Sequence, residues 1–372
     1  MSHLLVTNDF PPKLGGIQSY LWELWRRLDP ATFAVLTTPH EGADEWDAAQ
    51  AFRVDRTPGK LLLPTASLAR RIEALAAETG AGLVVLDPAL PLGLLGPRLS
   101  LPYGLVLHGA EITVPGRLPG SRALLARVLR GASEVIAAGG YPAAEGERAA
   151  GRALPVTIVP PGVDPDRFVP LDAEQRAKAR ALFDLPAEGR LAVSLSRLVP
   201  RKGMDVLIEA AAQLAPDRPD LVVAIGGSGR DSGRLRRLID RTGAPVSLLG
   251  RVPDADLPAL YGCADVYAMV CRNRWAGLEQ EGFGIVFLEA AACGVPQVAG
   301  ASGGAAEAVA DGETGVVVGT PGDATAVARA LAPLLDEVDR RMAMGAAARR
   351  RAETEFAYDV LAGRLAEVLA RW

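Results

Sequence analysis

The chain has 372 residues, of which 49% are hydrophobic and 23% are charged, a composition typical of soluble globular proteins. At roughly 100–200 residues per domain, this length predicts two domains. The net charge of −4 at pH 7 and the pI of about 5.6 argue against a nucleic-acid partner, because such partners select a basic surface.

The cysteines and the apolar stretches bear on where the protein works. Cys263, Cys271 and Cys293 form neither a disulfide framework nor a CxxC metal-ligand pair, which is typical of a reducing cytoplasm. The N-terminus lacks the basic and apolar segments of a signal peptide. An aspartate and two prolines interrupt the best apolar stretch, 81–96, so we expect no membrane-spanning helix. Association with the inner face of the plasma membrane stays open.

Short apolar runs alternate with helix-length amphipathic stretches along the chain, which predicts βαβ units in parallel sheets. The expected strands include Leu4–Thr7, Phe33–Thr37, Leu83–Leu86, Gly104–Leu107 and Glu134–Ala137, then Leu191–Ser194, Leu221–Ile225, Val246–Leu248, Val266–Met269, Pro296–Ala299 and Gly315–Val318. A Pro/Gly-rich stretch over 160–165 separates the two series. We therefore expect an α/β protein with Rossmann-like doubly wound domains over 1–165 and 166–355. Ligands of such sheets bind at the carboxyl ends of the strands, and two facing sheets would make an interdomain cleft.

The segment 8–20 joins the first expected strand to the first helix, where ligands bind in such folds. Gly15-Gly16 would allow the backbone to approach a phosphate or a sugar closely. The segment is not GxGxxG, so it gives little support to a dinucleotide site, and a flexible turn remains the alternative.

His108 ends an expected strand and is followed by a glycine. A structural histidine is the commoner case, but the place of His108 at the strand terminus favours a role in the site.

Downstream, we interpret one apolar stretch as a helix that carries four arginines at intervals: Arg117, Arg122, Arg127 and Arg130. This helix could dock on anionic lipid headgroups or could be an ordinary surface helix.

Two Asp-x-Asp triplets begin at Asp164 and Asp254 and raise the question of a metal. Both lie in proline-containing turns, where aspartate caps are expected, so we predict no metal site.

The segment 196–203 follows a strand and contains Arg197, Arg201 and Lys202, with Gly203 opening a helix. Three cations at the end of a strand suit a diphosphate, since a charge-assisted hydrogen bond contributes roughly 1.5–3 kcal/mol. A solvated basic turn is the alternative.

The segment 281–289 contains two glutamates around a predicted helix start near Gly284; this helix should end at Cys293. A helix N-terminus with open amides is an anion site. Glu281 precedes the amides and Glu289 lies on the helix, about 12 Å away if the whole stretch is helical. That separation exceeds the roughly 5–9.5 Å of a hydrolase carboxylate pair. The two glutamates therefore fit separate hydroxyl binders flanking a phosphate, with ordinary surface and capping roles as the alternative. We expect 197–202 and 281–289 to converge on a pyrophosphate across an interdomain gap.

Together these segments resemble the retaining GT-B glycosyltransferases of family 4. The glutamate pair, the basic segment, Pro161–Asp164 and the first glycine loop stand in the expected order. More narrowly, 6–21 and 271–282, including Gly277 and Leu278, are similar to the actinobacterial phosphatidylinositol mannosyltransferases. The sequence departs from that pattern at Trp275 and Gln280.

The resemblance implies retaining transfer of a hexose, mannose from GDP-mannose, to a lipid-linked acceptor such as phosphatidylinositol monomannoside. Retention would follow a front-face path, with the leaving phosphate oxygen taking the acceptor's proton and no metal cofactor required. It also implies that 356–372 form a helix crossing back to the first domain.

The resemblance assigns roles to individual residues. The catalytic set is His108, Arg197, Lys202 and Glu281. The two cations would hold the diphosphate, Glu281 would bind hydroxyls of the transferred sugar, and His108 would lie beside its reacting carbon and 6-hydroxyl. Donor binding would use the backbone of Gly16, Arg251, Val252, Phe283, Gly284 and Ile285, and the side chain of Glu289 on the ribose. Asp9 and Gln18 would face the acceptor.

Other functions stay open at this point. A UDP-sugar donor with a different lipid or saccharide acceptor, a nucleotide-sugar epimerase of the same fold, and a non-catalytic nucleotide-binding module all fit the segments. A nicotinamide-dependent dehydrogenase is disfavoured, because no GxGxxG with a downstream acidic residue is present.

Overall fold

The computed structural model describes residues 2–275 and 279–372, and it divides the chain into two compact units. The first comprises Met1–Pro161 and Tyr358–Trp372, and the second comprises Gly162–Ala357. The division lies at 161/162 rather than at the expected 165, and the return to the first unit begins at Tyr358.

The first unit is built on a seven-stranded parallel sheet in the order β3-β2-β1-β4-β5-β6-β7. Its strands are β1 (His3–Thr7), β2 (Phe33–Thr37), β3 (Arg53–Arg56), β4 (Leu83–Asp87), β5 (Tyr103–Leu107), β6 (Glu134–Ala137) and β7 (Val156–Ile158). Its helices are α1 (Gly16–Trp25), α2 (Ala43–Ala48), α3 (Ala66–Thr79), α4 (Ala110–Arg117), α5 (Pro119–Gly131), α6 (Gly140–Ala150) and α15 (Tyr358–Leu369). The chain order reverses between β1 and β4, which makes this the point where ligands bind in doubly wound sheets.

Both faces of this sheet are covered, as the unbroken apolar runs predict. Leu4 and Val6 of β1 face one core cluster, whereas Leu5 faces the other. The second cluster includes Leu361 and Leu365 of α15. An ion pair of 2.6 Å between Arg27 and Asp359 adds to this contact. The C-terminal helix is therefore part of the first unit's core.

The second unit has a six-stranded parallel sheet in the order β10-β9-β8-β11-β12-β13. Its strands are β8 (Leu191–Leu195), β9 (Val222–Gly226), β10 (Val246–Gly250), β11 (Val266–Met269), β12 (Gln297–Gly300) and β13 (Gly315–Val318). Its helices are α7 (Ala173–Leu182), α8 (Met204–Leu214), α9 (Ser232–Thr242), α10 (Leu257–Gly262), α11 (Ile285–Ala292), α12 (Ala305–Ala308), α13 (Ala324–Asp336) and α14 (Val338–Glu355). Its reversal point lies between β8 and β11.

These two parallel α/β sheets confirm the expected fold class. Within the described chain, no helix combines the length and the apolarity needed to cross a bilayer. Cys263, Cys271 and Cys293 are all buried free thiols.

Candidate active site

The centre of the site in the second unit is the carboxylate of Glu281, in the loop between β11 and α11. Its Oε2 lies 2.7 Å from Nζ of Lys202 and 2.5 Å from Nη1 of Arg201. The side chains of Glu281 and Lys202 are each only 9% exposed. The segments 197–202 and 281–289 thus meet as expected, but the expectation that they meet across an interdomain gap was wrong. Both belong to the second unit, because both follow strands that border its reversal point.

The charges of this cluster keep Glu281 ionised. Burial by itself would raise the pKa of the carboxyl group, but the adjacent Lys202 and Arg201 outweigh burial and hold it below its usual value. An ionised carboxylate only accepts hydrogen bonds, so it suits the hydroxyl groups of a sugar. The two cations and one anion leave one net positive charge in the cluster.

Glycines let the backbone segments of the cluster pack closely. Gly203 has a φ of +73°, and a Cβ there would lie 2.1 Å from the carbonyl oxygen of Val270. At Gly303, with a φ of +51°, a Cβ would lie 2.0 Å from the carbonyl oxygen of Glu281. The amide of Gly304 donates to that same oxygen at 3.1 Å. The Glu281 backbone is therefore fixed by a glycine turn that would not accept a side chain.

Helix α11 begins at Ile285 and ends at Ala292, within one residue of the predicted start and end. Gly284 caps it in the left-handed conformation, with a φ of +88°. In the described residues, the backbone amides of Phe283, Gly284 and Ile285 donate to no protein acceptor. Three open amides therefore follow Glu281, as an anion site at a helix start requires.

Glu289 lies on α11 and is half-buried. Its Oε2 accepts a hydrogen bond of 2.6 Å from the hydroxyl of Tyr261. Burial raises the pKa of this carboxyl group, and the bond from Tyr261 opposes the rise only in part. The two glutamates thus lie in different environments. Cations lower the pKa of Glu281, whereas burial raises the pKa of Glu289, which accepts a hydrogen bond from a tyrosine.

The remaining donor-side residues of the sequence analysis lie near the strand ends of this unit. Arg197 is exposed, and its side chain makes no hydrogen bond or ion pair with any described residue, whereas its backbone carbonyl accepts from the Val199 amide and the Ser196 hydroxyl. Arg251 is exposed just after β10, and Val252 is half-buried beside Gly226. Their contacts with a ligand stay predictions.

In the first unit, Asp9 of the loop after β1 contacts Gln18 in the first turn of α1. Oδ1 of Asp9 accepts hydrogen bonds from Nε2 of Gln18 at 2.5 Å and from Nζ of Lys13 at 2.7 Å. Gly16 is the exposed first residue of α1. The loop therefore presents a carboxylate, an amide and a helix start on one short segment.

His108 directly follows β5, and its Nε2 lies 2.6 Å from Oδ1 of Asp87 at the end of β4. The side chain of Asp87 is fully buried and that of His108 is 11% exposed. Burial would lower the pKa of the imidazole, but the charge of Asp87 and its hydrogen bond raise it above the usual value. His108 is therefore held by a carboxylate at the reversal point of the sheet.

The expectation of one arginine-bearing helix was wrong. Helix α4 ends at Arg117 and α5 begins at Pro119, because the residue before a proline is disfavoured in helical conformation. Arg117 pairs with Glu145 at 3.6 Å, and Nε of Arg130 donates to the Ala150 carbonyl at 2.6 Å. Arg122 and Arg127 lie on the exposed face of α5.

The first aspartate of each Asp-x-Asp triplet begins a turn or a short helix, the type of position expected for it. Asp164 accepts from the backbone amides of Asp166 and Arg167, and Asp254 begins a short 3-10 helix. Residues 2–275 and 279–372 contain no group of three or more His, Cys, Asp or Glu side chains arranged to hold a metal ion.

Known proteins similar to this chain decide its family. The family model described as glycosyl transferases group 1 matches residues 175–351. A GDP-mannose-dependent alpha-(1-6)-phosphatidylinositol monomannoside mannosyltransferase of Mycolicibacterium smegmatis is 42% identical over 99% of this chain and 98% of its own. A GDP-mannose-dependent monoacylated alpha-(1-6)-phosphatidylinositol monomannoside mannosyltransferase of Corynebacterium glutamicum is 37% identical over 98% of this chain and 97% of its own. The chain belongs to the glycosyl transferases group 1 family.

Solved structures agree with the fold of this transferase. Anabaena HepE, crystallised in complex with UDP, superimposes with a TM-score of 0.83 over the whole of both chains at 24% identity. WaaG, a glycosyltransferase involved in lipopolysaccharide biosynthesis, has a TM-score of 0.69 at 21% identity, over 98% of this chain and 99% of its own. The GT-B expectation is thereby confirmed as a fold.

Three features of the transferase's site were not identified from the sequence. In the sequence, Asp87 interrupts an apolar stretch, and its place at the end of a buried strand is the signal that could have identified it. The basic segment contains Arg201, but no local pattern pairs it with Glu281. Ser302, whose hydroxyl accepts from the Glu281 amide at 3.3 Å, gave no sequence signal. Gly277 and Leu278, part of the resemblance, lie outside the described residues.

Proposed function

We propose that this transferase moves an α-mannosyl residue from GDP-mannose to phosphatidylinositol monomannoside with retention of configuration. The observation that carries the proposal is the buried Glu281 carboxylate, ionised between Arg201 and Lys202 and followed by three open amides. The identity of the donor and acceptor rests on the full-length similarity to proteins named for this reaction.

The proposed chemistry follows from these charges. As the bond from the sugar C1 to the diphosphate loosens, negative charge grows on the leaving oxygen, and Arg197, Lys202 and the open amides stabilise it. That oxygen then takes the proton of the acceptor hydroxyl on the same face of the sugar. Glu281 is ionised and therefore orients sugar hydroxyls rather than donating a proton.

We further propose that no metal is required for transfer, since the protein's cations stabilise the leaving diphosphate in place of a metal ion. Activity should survive EDTA, and loss on chelation with recovery on adding a divalent ion would refute this.

A lipid acceptor also fits a cavity of the first unit. The cavity has a volume of about 520 Å³, and Leu61, Leu62, Leu63, Arg56 and Arg71 are among the residues that line it. Leu61 and Leu63 are 55% and 50% exposed. Two hydrogen bonds join Asn8 to the backbone of Leu62, so the cavity adjoins the loop that bears Asp9, the hydrogen-bond partner of Gln18. We propose that an acyl chain occupies the cavity while the acceptor headgroup meets Asp9 and Gln18.

The direct experiment incubates the purified transferase with GDP-mannose and phosphatidylinositol monomannoside and identifies products by mass spectrometry and NMR. The expected product is a dimannoside with a new α linkage. GDP-glucose and UDP-sugars serve as competing donors. D-inositol 3-phosphate, the acceptor in the name of a Salinispora tropica relative that is 40% identical over 55% of this chain, serves as an acceptor without acyl chains. Transfer to it alone would contradict the lipid assignment, and release of free sugar without transfer would favour an epimerase.

The acyl-chain assignment has its own test. A Leu61→Ser, Leu63→Ser double variant should raise KM for the acylated acceptor and leave KM for its deacylated form unchanged. Leu182→Ser, which alters a leucine 56% exposed in the second unit, is the matched control. Equal KM changes for both acceptors would contradict the assignment.

We also propose peripheral contact with the inner face of the plasma membrane through α5. Arg127 and Arg122 are exposed there, and Leu124 is 52% exposed beside them. Cations with an adjacent apolar side chain suit an anionic bilayer surface. Arg122→Gln with Arg127→Gln should reduce sedimentation with phosphatidylinositol vesicles, and unchanged sedimentation would refute the contact.

A further inference from the structure

A chain of hydrogen bonds connects three neighbouring strands of the first unit at their carboxyl ends. The amide of Asp9 donates to Oγ1 of Thr7 at 2.8 Å, and the Thr7 hydroxyl donates to Oδ2 of Asp87 at 2.6 Å. The other oxygen of Asp87 lies 2.6 Å from Nε2 of His108. Since a carboxylate only accepts, the proton of this last bond belongs to Nε2 of His108. Asp87 thereby fixes both the orientation and the tautomer of the ring.

The second ring nitrogen of His108 has no such partner. Within the described chain, Nδ1 of His108 makes no hydrogen bond, whereas its backbone amide donates to Oε1 of Glu111 at 2.6 Å. The ring of Tyr20 packs edge-on against the imidazole, with centroids 5.4 Å apart. The side-chain atoms that are buried without a partner in the described chain are Thr37 Oγ1, Asp205 Oδ1 and Gln297 Oε1. Nδ1 is not among them, so it is the ring atom open to a ligand.

The groups around the ring favour its cationic form. Burial lowers the pKa of the imidazole, but three carboxylates oppose this effect: Asp87 on β4, Glu111 on α4 and Asp9 after β1. Asp87 contributes most of the rise, through both its charge and its hydrogen bond. Lys13 offsets part of the charge of Asp9 from 2.7 Å, and the Tyr20 phenol on α1 stays neutral because burial raises its pKa. The net effect is an imidazolium that persists above the pH at which a free histidine loses its proton.

We propose that Asp87 is a positioning residue for the transfer reaction, holding His108 as a cation whose Nδ1–H donates to a hydroxyl of the bound sugar. The role toward the sugar rests on the proposed function. The role in fixing the ring does not, because it follows from the contacts of Thr7, Asp87 and His108 alone. Of the three carboxylates around the ring, Asp87 hydrogen-bonds the imidazole itself, Glu111 accepts from the backbone amide of His108, and Asp9 acts through its charge.

The first test measures the ring itself by NMR of the histidine side chains as a function of pH. The chain has three histidines, His3, His40 and His108, and a His108→Gln variant assigns the signal. In the wild type we expect the neutral form to carry its proton on Nε2 and the cationic form to persist above pH 6.5. In Asp87→Asn, which preserves shape and an acceptor oxygen, the titration should move to lower pH. Glu78→Gln, which removes a carboxylate that pairs with Arg53 in the same unit, should leave it unchanged.

The second test measures transfer. Asp87→Asn should lower kcat roughly tenfold or more and move the alkaline limb of its pH profile to lower pH, with the donor KM changed far less. Asp87→Glu should recover part of kcat because it restores the charge.

If the wild type transfers no sugar, the proposed function fails, but the NMR test of the role of Asp87 still applies. A wild-type His108 that carries its proton on Nδ1 or titrates below pH 6.5 overturns the inference, even if no Asp87 variant folds. An Asp87→Asn enzyme with unchanged titration or unchanged kcat also overturns it.

Discussion

Nζ of Lys202 lies 2.7 Å from the Glu281 carboxylate, in a cluster that is almost closed to solvent. The lysine is thus held by the group that we assign to the sugar. A bound diphosphate would share the lysine with Glu281 rather than recruit it from solvent, so little side-chain entropy would be lost on binding.

Replacing this lysine tests whether its charge stabilises the leaving diphosphate. Lys202→Ala should lower kcat about 100-fold or more, because the charge that grows on the leaving phosphate loses a buried cation. The measurement is steady-state transfer from GDP-mannose. Lys178→Ala, which removes an exposed lysine paired with Glu174 in the same unit, is the control and should leave kcat unchanged. Equal kcat values for Lys202→Ala and the wild type would remove Lys202 from the site.

The glycine turn behind Glu281 gives a second prediction. Gly303→Ala should reduce transfer strongly, because its Cβ would meet the Glu281 carbonyl oxygen at 2.0 Å and displace the loop. Gly312→Ala is the matched control, since Gly312 also has a positive φ, +77°, but no atom within 4 Å of the added Cβ. Both changes cost roughly 1–2 kcal/mol of backbone strain. Similar activities in the two variants would show that the close approach does not position Glu281.

The ionised state of Glu281 predicts an acid dependence of stability. Because the folded-state pKa lies below the usual 4.5, the carboxylate stabilises the fold above pH 4.5, and this contribution is lost as the pH falls through the folded-state value. Glu281→Gln should therefore lose less free energy of unfolding than the wild type between pH 5 and acid pH. Urea unfolding at several pH values measures this, with the exposed Glu174→Gln as control. A wild-type acid dependence identical to that of Glu281→Gln would contradict the ionised state.

A buried histidine of the first unit predicts a loss of stability in mildly acidic solution, at a higher pH than the loss caused by Glu281. Nε1 of Trp25 donates to Nε2 of His3 at 2.9 Å, and burial lowers the pKa of His3 from 6.5 to about 3. The unfolded chain therefore binds a proton that the folded chain excludes, and stability falls as the pH drops below 6.5. Between pH 6.5 and 5 the loss is about 1.6 kcal/mol, because the slope rises from half of roughly 1.36 kcal/mol per pH unit at pH 6.5 toward that full value at lower pH.

His3→Gln, which still offers Trp25 an acceptor, should remove this loss. His40→Gln, which replaces an exposed histidine, should retain it. The measurement is the free energy of unfolding in urea at pH 7 and pH 5. The assignment to His3 would be wrong if both variants kept the wild-type dependence.

The central strands of both sheets and the edge strands of the second sheet could be predicted from the sequence, whereas the edge strands of the first sheet could not. Strands such as Phe33–Thr37 and Val266–Met269 are buried on both faces and therefore read as unbroken apolar runs. β3, with the sequence RVDR, and the three-residue β7 are edge strands that face solvent, and neither was among the predicted strands. RVDR is mostly charged and β7 is short, so both carry a weaker hydrophobic signal than the apolar edge strands β10 (VSLLG) and β13 (GVVV) of the second sheet.

The candidate site divides in a similar way. Lys202, Glu281 and the start of α11 could be located from local patterns, because cations, glycines and a helix signal lie within short segments. The pairing of Asp87 with His108 joins positions 21 residues apart on neighbouring strands, and the pairing of Arg201 with Glu281 spans 80 residues. Such contacts depend on strand order and register, which no local pattern encodes.

The proposed mechanism assigns Lys202 to the diphosphate and Glu281 to the sugar. Calorimetric titration of GDP and of GDP-mannose into the wild type, Lys202→Ala and Glu281→Gln separates the two roles. Lys202→Ala should weaken both ligands, whereas Glu281→Gln should weaken GDP-mannose and leave GDP close to the wild-type affinity. Unchanged affinities in Lys202→Ala, or an equal loss for GDP and GDP-mannose in Glu281→Gln, would contradict the assignment.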